Sequence, residues 1–232
     1  MYEADGFLHV PQLLDAGERD AVERALQLYA DLVPGLPASD VVREPGSDAI
    51  RNLWRMEQHS GFFAELAGHP RILALVAPLV KGTPVSLGVE LFAKPARLGS
   101  AVPLHQDNGY FNLTPPDALT CWIALDASTE ANGCVRYARG SHRQGLLPHQ
   151  ATGVKGNSWG LAHPPAPETL DEVPGLLAPG DALLHHCCLL HRSEPNFSDH
   201  ARRGLLIVYK GAHCRLDEEG MRRYQAAARA IQ

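Results

Sequence analysis

The 232-residue chain is short of several things, and each shortage closes off a class of function. Basic residues are not in excess: 21 Lys and Arg stand against 26 Asp and Glu, and the two signs are interspersed. That removes the electrostatic footprint of a nucleic-acid binder or a polybasic membrane patch. No apolar run approaches the length of a membrane span. The opening MYEADGFLHVPQLL is acidic, and its apolar run is too short for a signal peptide. No membrane and no nucleic-acid partner is expected, and a cytoplasmic setting is. The 5 cysteines are odd in number, Cys187 and Cys188 are adjacent, and no CxxC occurs. Free core thiols in a reducing compartment fit this better than a disulfide framework. Without a secretion signal, the sequons at Asn112 and Asn196 are chance.

What is present is enough for a core. Apolar residues make up 45%, ordinary for a soluble globular chain. Residues 15–33, DAGERDAVERALQLYADLV, have helical periodicity, with Asp15 as N-cap and Val22, Leu26 and Tyr29 on one face. SGFFAELAG and HPRILALVAPLV, spanning 60–80, predict two more helices with a stop and restart at Gly68-His69-Pro70. From about residue 84 the texture changes to short β-favouring runs between turn signals: PVSLGVELFAKPA, ALTCWIALDAS, NGCVRYARGSH, GDALLHHCCLLHRSEPN and RRGLLIVYKGA. Residues 145–179 are rich in Gly, Pro and His and predict a long loop, and DEEGMRRYQAAARAI predicts a short last helix. No βαβ rhythm, repeat or linker is visible. Helices first and many strands after favour a single domain built on an antiparallel sandwich or barrel with helices outside.

The chemistry concentrates in PLHQDNGYF, residues 103–111. His105 and Asp107 stand two apart. They are either two ligands of one metal or two polar residues at a strand end. On a strand, i and i+2 point the same way, which suits a shared ion. His191 ends one of the most apolar strands and offers a third donor. Two histidines and a carboxylate on one face form the non-haem Fe(II) triad, which leaves positions for a co-substrate and O2. Arg202 opens the strand after His191. A permanently charged fork there suits the far carboxylate of 2-oxoglutarate.

These pieces together resemble the phytanoyl-CoA dioxygenase family of Fe(II)/2-oxoglutarate-dependent oxygenases. The similarity runs through DGFLHVPQLL, KPA, PLHQDNGYF, CWIALDASTEANGCVRYARGSH and PGDALLHHCCLLHRSEPNFSDHARRGLLIVYK, in the family's order. It implies a mainly β fold with flanking helices, the double-stranded β-helix (jelly-roll, cupin-like). Helices over about 12–80 would pack on a β-helix core over about 84–212, with 1–232 as one domain. It implies iron ligands His105, Asp107 and His191, a 2-oxoglutarate salt bridge at Arg202, and co-substrate neighbours Ser193, Trp122 and Lys94. The activity implied is hydroxylation of a small-molecule C–H bond with release of succinate and CO2. Halogenating relatives carry a small residue where Asp107 stands, so Asp107 favours hydroxylation. A metallo-hydrolase, or a non-catalytic metal-binding protein on the same barrel, stays open as an alternative. Desaturation or ring formation stays open beside hydroxylation, and the substrate's identity and the oligomeric state are not legible.

Strand parity adds a reading of its own. If Lys94 faces the interior, then Phe92 and Glu90 share that face, and a buried Glu90 needs a partner, either Lys94 or a cationic group of the substrate. His185 and His186 read as core histidines, and Arg203 as an exposed neighbour of Arg202. Arg136, Arg139 and Arg143 read as turn and surface charges. Gln106 points away from its neighbours, Asn108-Gly109 is expected to be a turn, and Tyr110 and Phe111 are candidates for the pocket wall. GNSWG at 156–160 matches G-x-S-x-G only formally, because no apolar strand precedes it and LAHPPAP cannot be the helix that must follow.

Overall fold

The computed structural model describes residues 2–154 and 156–229. The strands are β1 (Phe7–Val10), β2 (Val41–Arg43), β3 (Ile50–Leu53), β4 (Pro84–Lys94), β5 (Val102–His105), β6 (Leu113–Thr114), β7 (Ala118–Ala124), β8 (Val135–Ala138), β9 (His149–Ala151), β10 (Trp159–Leu161), β11 (Glu172–Pro174), β12 (Ala182–His186), β13 (His191–Ser193), β14 (Arg202–Gly211) and β15 (Arg215–Leu216). The helices are α1 (Tyr2–Asp5), α2 (Ala16–Ala30), α3 (Met56–His59), α4 (Gly61–Ala67), α5 (Pro70–Leu79), α6 (Asn108–Phe111) and α7 (Glu218–Arg229). A seven-stranded sheet runs β1-β12-β7-β14-β4-β3-β2, and a four-stranded sheet runs β11-β8-β13-β5. Every pairing in them is antiparallel. This is the jelly-roll, double-stranded β-helix architecture, with open sheet edges rather than a closed barrel.

Period-2 alternation sorts the large sheet into two faces. Cys121, Ile123, Leu205, Ile207 and Tyr209 join Val22, Tyr29, Phe63, Ile72 and Val76 of the helices in one apolar cluster. Their neighbours Trp122, Ala124, Leu183 and Leu206 turn the other way and meet Tyr137 of the small sheet. The helices therefore cover the outer face, and the inner face is left for chemistry. Leu205 and Ile207 are fully buried, and truncating either to Ala costs about 2–5 kcal/mol.

Local signals explain the helix boundaries. Asp15 caps α2 in a reciprocal box: its carboxylate accepts from Glu18 N–H at 2.8 Å, and Glu18 accepts from Asp15 N–H at 2.8 Å. The helix ends at Ala30 rather than 33, because Val33-Pro34-Gly35 tightens into a 3-10 turn. Pro70 starts α5 at its first turn. Three expectations change. Residues 41–53 pair as β2 and β3 and extend the large sheet. The stretch 145–179 is not one loop: it holds the β9–β10 hairpin and β11, which pairs with β8 at the edge of the small sheet. Asn108-Gly109 is not a turn between strands but the start of the one-turn helix α6. The last expected helix is α7, and residues 230–231 of it lie outside the described residues. Among the described residues no single helix is long and apolar enough to cross a membrane.

Candidate metal and co-substrate site

The small sheet sets the first two donors. On β13, His191 lies directly opposite His105 of β5 and, on its other side, Tyr137 of β8. The two imidazole centroids are 4.1 Å apart. His105 Nδ1 lies 2.8 Å from the Pro103 carbonyl, and His191 Nδ1 lies 2.9 Å from the Leu189 carbonyl. A carbonyl can only accept, so each Nδ1 carries the proton and each Nε2 keeps its lone pair. Burial, helped by the neighbouring His191, lowers the pKa of His105 and favours the neutral form that ligates.

Asp107 completes the group, though not by strand alternation. The strand ends at His105, and Asp107 has helical backbone angles (φ −59, ψ −33) at the entry of α6. Its side chain is aimed by what holds it. Oδ2 accepts from Thr120 Oγ1 at 2.6 Å and from His185 Nε2 at 3.0 Å. Thr120 and His185 are cross-strand partners on β7 and β12, so the inner face of the large sheet grips one oxygen. The other, Oδ1, lies 3.6 Å from His105 Nε2 and 3.4 Å from His191 Nε2. One donor atom from each of His105, Asp107 and His191 lies within 4.8 Å of the others. Burial works to raise the Asp107 pKa, but the neighbouring His191 and the hydrogen bond from His185 hold it well below the usual carboxylate value. Two imidazole lone pairs and one carboxylate oxygen, converging on one face, suit a divalent first-row metal.

Arg202 lies at the other end of the same cavity, which it lines with Ser193, Trp122, Phe92 and Leu206. It is 2% exposed, and its guanidinium carbon stands 5.3 Å from the centre of the Trp122 ring. Its Nε and Nη1 have no hydrogen-bond partner among the described residues. Burial pushes its pKa down to about 10. An orphaned, buried guanidinium is costly unless an anion meets it. Gly204 makes the arrangement possible: a Cβ there would lie 2.3 Å from Trp122 ring atoms, so only glycine lets the indole lie against the strand.

Lys94 faces inward opposite Arg202. It is not among the residues lining the cavity. Its ammonium donates to the Ser100 and Glu194 carbonyls, both at 2.6 Å. Burial, with Arg202 and Arg51 nearby, lowers its pKa to about 6. Lys94 is therefore held by the backbone, and among the described residues no hydrogen bond or ion pair joins it to Glu90, the partner expected for it. Arg203 is not a free surface charge either: it ion-pairs with Asp126 and Glu23. His185 is the residue the sequence hid. Its role follows from register against Thr120, which no local motif records.

The segment after the donors is tied to the β9–β10 hairpin. Tyr110 Oη donates to the Trp159 carbonyl at 2.6 Å and accepts from Trp159 N–H at 3.1 Å. The Gln106 carboxamide, fully buried, donates to the Gly145 and Cys188 carbonyls and accepts from Leu147 N–H. His149 Nε2 accepts from Gln106 N–H, so it braces the segment. Tyr110 packs edge-on to His105, whereas Phe111 packs on a separate cluster with Cys187 and Cys188. All five cysteines are free and buried.

A jelly roll with this donor set beside a buried arginine defines a class, the non-haem metal oxygenases. The family model described as Phytanoyl-CoA dioxygenase (PhyH) matches residues 2–204. The chain belongs to that family of Fe(II)/2-oxoglutarate-dependent oxygenases. It is similar to the L-proline trans-4-hydroxylase of Streptomyces griseoviridis, 28% identical over 227 residues, with 90% of this chain and 83% of that protein covered. A probable phytanoyl-CoA dioxygenase of Caenorhabditis elegans is 29% identical over 155 residues, 62% of this chain and 49% of that protein. The chain thus spans about half the length of the nematode relative. The solved structure of the epimerase SnoN from nogalamycin biosynthesis, in complex with Fe3+, alpha ketoglutarate and nogalamycin RO, has a TM-score of 0.71 at 27% identity, with 92% of this chain and 82% of that chain covered.

Proposed function

We propose that this chain, residues 1–232 acting as one domain, hydroxylates an unactivated C–H bond of a small molecule with consumption of O2 and 2-oxoglutarate and release of succinate and CO2. The observation that carries this is the orphaned Arg202 guanidinium on the same cavity as the three donor atoms. In this reading His105 Nε2, His191 Nε2 and Asp107 Oδ1 hold Fe(II). Arg202 receives the distal carboxylate of 2-oxoglutarate through its free Nε and Nη1 donors, with Ser193 and Trp122 beside it. Iron bound there supplies the activation of O2 that couples decarboxylation of the oxo acid to oxidation of the substrate.

The chain's own work is placement. Thr120 and His185 keep Asp107 on one oxygen, so the carboxylate does not swing to cover a second metal position. The carbonyls of Pro103 and Leu189 fix both imidazole tautomers. Phe92, Leu206 and Tyr137 keep the cavity dry, which strengthens the Arg202 contact. A hydrolase on the same barrel would have no use for a buried anchor such as Arg202.

The test is anaerobic addition of Fe(II) and 2-oxoglutarate, followed in the visible region. A weak metal-to-ligand charge-transfer band is expected, and Arg202→Ala should need far more 2-oxoglutarate to reach it. Folded protein without the band, or Arg202→Ala with an unchanged titration, overturns the reading.

A further inference from the structure

One wall of the inner face is left unexplained by metal and co-substrate. Cross-strand partners share a face, so the register gives a row Glu90–Leu206–Trp122–Leu183 pointing inward. The next row is Gly88–Val208–Thr120–His185, whose last two members grip Asp107. Glu90 is therefore one inward row, about 7 Å, along the strands from that grip and two strands, about 10 Å, to the side. Leu206 and Trp122, its partners in the row, line the cavity, as does Phe92 next to it on β4, whereas Glu90 is half-buried and is not itself among the lining residues.

Among the described residues no hydrogen bond or ion pair reaches the Glu90 carboxylate. Among the described residues, the cations on the neighbouring positions are committed. Arg55 is held by Asp40 and Ser39. Lys94 is held by two carbonyls. Arg51 is held by Glu44, Asn157 and the Ala101 carbonyl. The nearby charges are unhelpful too: burial first, then Asp107 and Glu57, push the Glu90 pKa up to about 8, and Arg55 opposes them. Beside Glu90 lie two further groups without an assigned task. Asn52, opposite Phe92 on β3, is 0% exposed, and among the described residues neither amide atom has a partner. Trp54 packs edge-on to Phe92 at 5.1 Å. A carboxylate, an unpaired amide and an aromatic pair on one wall are what a cation wants and what an anion or a hydrocarbon does not.

We propose that Glu90, with Asn52, Trp54 and Phe92, receives a protonated amine of the prime substrate and so selects cationic or zwitterionic small molecules. The inference rests on the oxygenase reading for its setting, with the amine held to one side of the oxidised carbon. It makes Glu90 a specificity-determining residue rather than a catalytic one.

The experiment uses the full chain loaded with Mn(II) and 2-oxoglutarate, a redox-inert complex. The probes are small primary amines and α-amino acids, each paired with its N-acetyl derivative. Proton line broadening by Mn(II) reports binding close to the metal. Several free amines should be broadened, at affinities about tenfold or more above those of their N-acetyl partners. Glu90→Gln should abolish that preference, and Glu90→Asp should retain part of it. Titration calorimetry should give the same 2-oxoglutarate affinity in all three proteins. Glu90→Gln should also melt about 2 °C higher, because a carboxylate with no partner is removed. A preference for amines that survives Glu90→Gln overturns the proposal, and so does wild-type protein in which no amine outperforms its N-acetyl partner. Failure of 2-oxoglutarate to bind would instead strike the oxygenase reading, so the two failures are separable.

Discussion

The two ends of the cavity are built on opposite plans. At the donor end the ligands are braced in advance: the Nδ1 of His105 and of His191 each has a carbonyl, and the spare oxygen of Asp107 has two donors. At the arginine end the guanidinium has been buried and left, among the described residues, with Nε and Nη1 unpaired. The first plan fixes geometry before anything binds. The second stores an unmet demand that a ligand must satisfy, which makes the apo protein less stable and the liganded one selective.

The contrast can be broken at several points. The largest effect is expected at the donors. His105→Ala or Asp107→Ala should weaken Mn(II) binding by more than about a hundredfold, above the usual range for changes to supporting residues, as read by calorimetry. Next is Arg202. Arg202→Ala should weaken 2-oxoglutarate binding by about thirtyfold to several thousandfold and leave the metal affinity unchanged. Arg202→Met should at the same time raise the melting temperature of the metal-free protein, whereas an arginine already satisfied would lower it when removed. Thr120→Val and His185→Ala should each cost about 10- to 100-fold in metal affinity, because Asp107 loses a restraint on Oδ2. Lys94→Met should change 2-oxoglutarate affinity by less than about threefold while lowering stability by about 1–3 kcal/mol, since two carbonyls lose their donor.

The smallest effect is one of pH. The folded-state pKa of Glu90 is raised to about 8, above the value of about 4.3 in an unfolded chain. Between those values the folded state binds more protons than the unfolded one, so this group's contribution to stability is full at low pH and declines as pH rises toward 8. Asp107, Glu57 and Arg55 are the charges that face it. Glu90→Gln should flatten that part of the stability profile, with a slope change of at most about 1.4 kcal/mol per pH unit.

Much of this was readable in the chain, and the unread part has a common cause. The shift from helical periodicity to strand alternation near residue 84 marked the helices and the sheets they cover. Apolar β4, β7, β12 and β14 announced themselves by composition, whereas β1, β2, β3 and β11 are three or four residues long and lie at or next to a sheet edge, too short to show a period of their own. At the site, His105 and Asp107 stood out by spacing, but the reason was mistaken: Asp107 is placed by a helix entry and by Thr120 and His185, not by strand parity. The His185 grip, the diversion of Lys94 to carbonyls and the isolation of Glu90 depend on register between distant strands. A period-2 pattern states which face a residue takes, not which residue it meets there.

The missing side chain at Gly204 gives the cavity a gauge. The indole of Trp122 lies in the space a single methyl group would fill, and Arg202 stacks on that indole. The distance from donor cluster to arginine is thus tuned from behind, by how far the strand lets the tryptophan recede. A chain that kept every polar residue of the site but gained one carbon at 204 would have to move the indole, and the guanidinium over it, to a new place.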